Sequence, residues 1–146
     1  MPSKVQQGRS AAALPALCAR AEPHPAQQAE LVRAAAAVAD WAPILHAAEQ
    51  NSLSPLLYRH LSSAGIALPT PVKRELMGGF LQHGRSNETR AAALAEMLSA
   101  LEQDGIRALV LKGAALAHTV YPQPGLRPMR DLDIRGAGNI LGAEQS

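Results

Sequence analysis

A chain of 146 residues, 47% of them hydrophobic, is about the size of one ordinary domain and can fill a core. Only 3% of its residues are aromatic, so that core must be built from Ala, Leu and Val, whose short side chains suit closely packed helices. A net charge of +2 excludes a strong long-range field toward nucleic acid, and the single cysteine excludes an intrachain disulfide or a cysteine-rich metal site.

The sequence pI of ≈ 9.0 still permits a local basic patch. No stretch approaches the roughly 20 apolar residues that span a bilayer, and together with one free thiol this makes the reducing cytoplasm the expected compartment, with no membrane partner. Residues 1–22 carry Lys4, Arg9 and Arg20 around a short apolar run from Ala11 to Cys18. Pro15 interrupts that run, and Leu17 stands where a lipid-attachment cysteine would need a small neighbour, so a frayed arm or short helix is expected rather than a signal peptide.

Pro23 and Pro25 end a flexible arm over 1–25, and a helical region over 26–104 follows. Its first helix, 26–40, is dense in alanine with Leu31, Ala35 and Val38 at helical spacing; a short helix over 44–50 carries Ile44, Leu45 and Ala48 on one side. Ser54-Pro55 and Thr70-Pro71 each read as a cap followed by a proline at the first helical position. The first opens a helix with the stripe Leu56, Leu57, Leu61, closed by Gly65; the second opens a pattern of Val72, Leu76 and Phe80. Gly78, Gly79 and Gly84 each cost about 1 kcal/mol relative to alanine, which predicts a bend or break there, before a regular helix over 88–103 with Leu94, Leu98 and Leu101 on one face. Both leucine stripes are expected to face a shared core.

After Gly105 the period changes. The run Ile106-Arg-Ala-Leu-Val-Leu111 is apolar, long enough for a strand and too short for a helix. A short helix over 114–120, a breaker-rich loop over 122–128 and a second strand over 131–135 follow, then a tail from Gly136 with no periodic signal. Along that second strand, alternation places Asp131 and Asp133 on one face and Leu132 and Ile134 on the other. One face can hold a hard cation while the other packs: Mg²⁺ takes one or two carboxylates with phosphate oxygens and water, and metals sharing carboxylates stabilise the oxygens of a phosphoryl displacement. Gly113 follows the first strand at the start of a helix, where backbone N–H groups approach a phosphate, and Lys112 adds a point charge. Arg127 and Arg130 flank the loop before the carboxylates, placed either to meet a triphosphate or to neutralise Asp131 and Asp133. The histidines fall in different elements without ligand spacing, and neither Cys18 nor Ser62-Ser63 has a visible base.

The order of strand, glycine turn, helix, loop and Asp-x-Asp strand resembles the start of the catalytic domain in a nucleotidyltransferase family of the DNA polymerase beta-like superfamily. The segment from Trp41 to Leu61 is similar to the helical segment preceding that domain, and the likeness covers roughly 41–134. The resemblance implies an α+β chain, in which a helical N-terminal region leads into the first part of a nucleotidyltransferase-type mixed sheet over 105–146. It sets Lys112, Gly113 and Ala114 at the phosphate-contacting turn and Asp131 and Asp133 as the catalytic metal carboxylates. The implied activity is Mg²⁺-dependent transfer of a nucleotidyl group from a nucleoside triphosphate to an acceptor, whose identity, like the base, the sequence leaves open. Two departures bear on it. The superfamily's fuller site takes a third carboxylate from a later strand, and after Asp133 this chain offers only Glu144; Arg135 and Gly136 stand where an apolar continuation is expected. A chain cut short near Ile134, impaired in turnover, is the expectation. The alternative is a non-catalytic helical interaction module, or a truncated remnant, whose exposed strand edges are covered by a protein partner or a second copy. Nucleic-acid binding, resting on the modest basic balance alone, comes third.

Overall fold

The computed structural model describes residues 13–137. A short helical segment over 13–17 (α1) leads to α2 (Pro25–Ala36), α3 (Ala42–Gln50), α4 (Ser54–Ser63) and the long α5 (Thr70–Gln103); β1 (Arg107–Leu111), α6 (Lys112–Thr119), a 3-10 turn (Pro124–Leu126) and β2 (Asp133–Ala137) complete the order. The chain is α+β: helices first, then a two-stranded antiparallel sheet of β1 and β2. None of the described helices is long and apolar enough to cross a membrane.

Prolines set the helix starts, and side chains cap them less than the sequence implies. Each of α2 to α5 has proline in its first two positions, where its missing N–H costs nothing. Ser54 and Thr70 do not act as caps: they are the first helical residues, and the Ser54 hydroxyl donates instead to Glu49 Oε2 at 2.8 Å. The α3 start is held by Asp40, whose Oδ1 accepts from the Ala42 amide at 3.0 Å.

The ends of α3, α4 and α5 follow a common geometry. At the end of α5, Gly105 adopts φ 69°, its N–H reaches Glu102 O, and the Ile106 N–H reaches Leu101 O at 2.8 Å. That doubly bonded left-handed terminus favours glycine because a Cβ is crowded there, and it releases the chain directly into β1. Gly65 closes α4 in the same way. After α3 the left-handed position is filled by Ser52, φ 57°, with the Leu53 N–H on Ala48 O at 2.7 Å.

Among the described residues, the buried apolar side chains gather into two clusters rather than one. The larger joins Leu14, Cys18, Leu31, Ala35, Ile44, Ala48, Leu57, Leu61, Val72 and Leu76, with the single tryptophan, Trp41, packed against it. The smaller joins Leu94, Ala114, Ala117 and Met129, flanked by Leu98, Val110, Leu132 and Ile134. The two leucine stripes therefore do not share a core: Leu57 and Leu61 lie in the first cluster and Leu94 in the second. Leu98 is half-buried, so its truncation removes less than that of a fully buried leucine.

Of the frayed arm or short helix expected near the start of the chain, the described part is a short helix that packs on the helical region. Leu14 and Cys18 are fully buried in the larger cluster, and His60 of α4 hydrogen-bonds the Arg20 carbonyl through Nε2 at 2.9 Å. Burial pushes the Cys18 thiol up to about 12, which keeps it protonated and a poor nucleophile.

Of the bend or break expected at Gly78, Gly79 and Gly84, the break does not occur. Helix α5 runs unbroken for 34 residues, about 51 Å at 1.5 Å per residue, and packs on α4, the 3-10 turn and β1 in succession. Contacts along that length offset the roughly 1 kcal/mol that each glycine costs. The helix backbone at Gly84 also seats the turn: a Cβ built on Gly125 would lie 3.0 Å from Gly84 Cα, so the absence of a side chain at Gly125 lets the two approach. Because backbone cannot give way as a flexible side chain can, Gly125→Ala is expected to lower stability by about 1–3 kcal/mol in denaturant unfolding. An unchanged midpoint would show that the turn does not depend on this approach.

Candidate nucleotide and metal site

The site residues meet where β1 turns into α6. Leu111, the last residue of β1, pairs with Asp133, the first of β2, and Val110 pairs with Ile134. Val110 and Ile134 pack on the smaller cluster, as does Leu132, while Asp131 is exposed and Asp133 half-buried. The inward and outward alternation of 131–134 thus agrees with the sequence, but the strand does not: Asp131 precedes the ladder, and β2 continues through Arg135 and Gly136 to Ala137. The reason is the length of β1. It gives way to α6 after Leu111, so Asp131 and Leu132 have no strand to pair with.

Lys112 forms the turn, and its backbone is unusual. It takes φ 52° between an extended Leu111 and the body of α6, a left-handed conformation that costs roughly 1–2 kcal/mol for a residue with a Cβ. The left-handed residue of the turn is thus Lys112 and not the glycine beside it. Gly113 is half-buried, and a Cβ on it would make ordinary contact with Met129 Cγ at 3.7 Å. Ala114 is a core residue, 2% exposed, and its side chain packs into the smaller cluster.

From this turn the Lys112 Nζ donates to Asp133 Oδ2 at 3.0 Å. The hydrogen bond and charge of Asp133, with a smaller contribution from Asp131, hold the ammonium above its ordinary pKa. Both carboxylates therefore act on one positive charge. The first turn of α6 carries no side-chain cap and no acidic residue, which leaves its amides for an anion.

The remaining candidates lie around the loop. Arg130 is exposed, and neither it nor Arg127 forms an ion pair with Asp131 or Asp133. Arg127 is half-buried, and its Nε is buried without a hydrogen-bond partner. Its carbonyl accepts from Asn87 Nδ2 at 2.7 Å, and the same nitrogen donates to Pro124 O at 2.7 Å. Asn87, 2% exposed on α5, thus ties the loop leading to the carboxylates back to the long helix. Nothing in its local sequence marks it, because its partners lie 37 and 40 residues away.

Among the described residues no group of three or more His, Cys, Asp or Glu side chains is placed to hold a metal. Glu144, the third carboxylate considered from sequence, lies outside the described residues. A cavity of about 620 Å³ bounded by Phe80, Asn87, His118 and Pro124 lies between α5, α6 and the loop, and neither aspartate lines it.

A family model described as uncharacterised nucleotidyltransferase matches residues 37–135, about two thirds of the chain. The chain belongs to this uncharacterised nucleotidyltransferase family. The match runs from the end of α2 through the helices, the β1 to α6 turn and Asp131 to Arg135, so it takes in Lys112, Gly113, Ala114, Arg127, Arg130, Asp131 and Asp133. No curated protein and no solved structure matches the chain.

Proposed function

We propose that the chain binds a Mg²⁺–nucleoside triphosphate at the β1 to α6 turn and that the family reaction is transfer of a nucleotidyl group to an acceptor hydroxyl, releasing pyrophosphate. The observation carrying this reading is the pairing of Leu111 with Asp133, which sets the carboxylate beside the uncapped amino end of α6. A cation held there and a phosphate at the helix end would be neighbours.

The donor set fits such a group. Two carboxylates already act on one ammonium charge, and hard oxygen donors with phosphate and water are what Mg²⁺ accepts. When bound, the metal would supply charge neutralisation at the phosphoryl group undergoing displacement. Asp131 and Asp133 would hold it, the first amides of α6 would receive phosphate oxygens, and Lys112 and Arg127 would add positive charge. With no third carboxylate beside the two aspartates among the described residues, binding of Mg²⁺–nucleotide is proposed to be weak and transfer slow.

Calorimetric titration with ATP and Mg²⁺ tests this. Weak binding heat is expected from the natural chain and none from the double variant Asp131→Asn, Asp133→Asn. Equal heats from the two proteins would move the nucleotide site elsewhere. They would also favour the alternative, a helical interaction module, for which the specific support is Leu109: it is 61% exposed on the outer sheet face and would suit a protein partner or second copy.

A further inference from the structure

We propose that Lys112 is a tethered counter-ion that competes with the divalent cation for Asp133 and that, once displaced, serves the triphosphate instead. This rests on the nucleotide-site reading above. Three observations support it. The ammonium lies 3.0 Å from Asp133 Oδ2, within the space a cation bound to that oxygen would need. The left-handed backbone at Lys112 starts its side chain from the turn itself, and an ordinary right-handed helical first residue would launch it in a different direction. The lysine side chain is 72% exposed, so it is free to leave, whereas that of Asp133 is 33% exposed and is fixed in the ladder opposite Leu111.

Both charges cannot occupy one carboxylate oxygen without repulsion. A metal arriving at Asp133 therefore has to displace the ammonium, and the cost appears as weaker metal affinity in the absence of nucleotide. Once displaced, the ammonium stands at the amino end of α6, where a phosphate bound to that metal would accept its hydrogen bonds. The lysine thus opposes the metal alone and favours the metal together with the polyphosphate.

The opposed signs make the test specific. Mn²⁺ binding to the natural chain, to Lys112→Gln and to Lys112→Gly is measured from the electron paramagnetic resonance signal of the free ion, first alone and then with inorganic tripolyphosphate. Gln removes the charge while keeping a polar side chain one bond shorter than that of lysine. Gly also removes the charge but relaxes the left-handed backbone, which guards against a result arising from a disturbed turn. Loss of a surface ion pair predicts Mn²⁺ binding alone tighter by about two- to fivefold in both variants, and tripolyphosphate binding in the presence of Mn²⁺ weaker by a similar factor. Mn²⁺ affinity unchanged or reduced in both variants would overturn the competition. Asp133→Asn separates the two levels of failure. If it abolishes Mn²⁺ binding while the lysine variants change nothing, the metal site stands and the counter-ion role falls; if it too binds Mn²⁺ normally, the site reading fails and takes this proposal with it.

Discussion

Asn87→Ala is expected to lower the unfolding free energy by about 2–4 kcal/mol, more than any surface substitution in the loop it holds. The side chain donates two hydrogen bonds of 2.7 Å to the carbonyls of Pro124 and Arg127, and each buried pair contributes about 1 kcal/mol. Alanine removes both donors and leaves any carbonyl still shielded from water without a partner, which adds to the loss. Asn87 Oδ1 is itself buried without a partner, so the residue is kept for its nitrogen. Asn87→Asp separates the two atoms: it preserves the shape but has no donor when ionised and a single O–H when protonated, where the amide nitrogen serves two carbonyl oxygens. It is therefore expected to fold less stably than the natural chain even at a pH where the new carboxyl is protonated. Denaturant unfolding followed by far-UV circular dichroism measures both, and an Asn87→Ala midpoint equal to that of the natural chain would mean that the loop is held by its apolar contacts, Leu126 and Met129, alone.

The same side chain shows where the sequence could and could not be read. Helix starts, the α5 terminus at Gly105 and the change of period into β1 were legible because each is written in neighbouring residues: proline at the first turn, glycine in the left-handed position, an apolar run after it. The outward face of Asp131 and Asp133 was legible for the same reason, since alternation is local. What depended on distant chain was not legible. The ladder starts at Asp133 because β1 ends at Leu111, and that end is set by a left-handed lysine that no propensity favours. The glycines of α5 read as a bend or break because nothing local shows what packs along the helix there, such as Gly125, which seats on the backbone at Gly84 from 41 residues away. Asn87 resembled any polar residue on a helix. Separation of the leucine stripes into two clusters was equally hidden: both have helical spacing, and only the length of unbroken α5 carries them apart.

That separation leads to the second large effect. Leu61→Ala is expected to cost about 2–5 kcal/mol, the range for truncating a fully buried leucine. Leu61 and Leu57 are both 0% exposed at the centre of the larger cluster, where α4 packs against α2, α3 and α5. With few aromatic residues in the chain, the neighbours are mostly aliphatic and alanine side chains whose short reach limits their collapse into the space left behind, and this favours the upper part of the range. Against a typical total of about 5–15 kcal/mol, such a loss would leave a marginal protein. Trp41 packs on this cluster and is the single tryptophan, so its emission reports the larger cluster, while far-UV circular dichroism reports helix throughout. Both probes are expected to shift to lower denaturant together in Leu61→Ala, because α5 contributes Val72 and Leu76 to one cluster and Leu94 to the other within a single helix. A tryptophan transition that moves while the helical signal stays in place would show instead that the two clusters unfold independently, and that the β1 to α6 turn with its carboxylates retains its structure without the helical region before it.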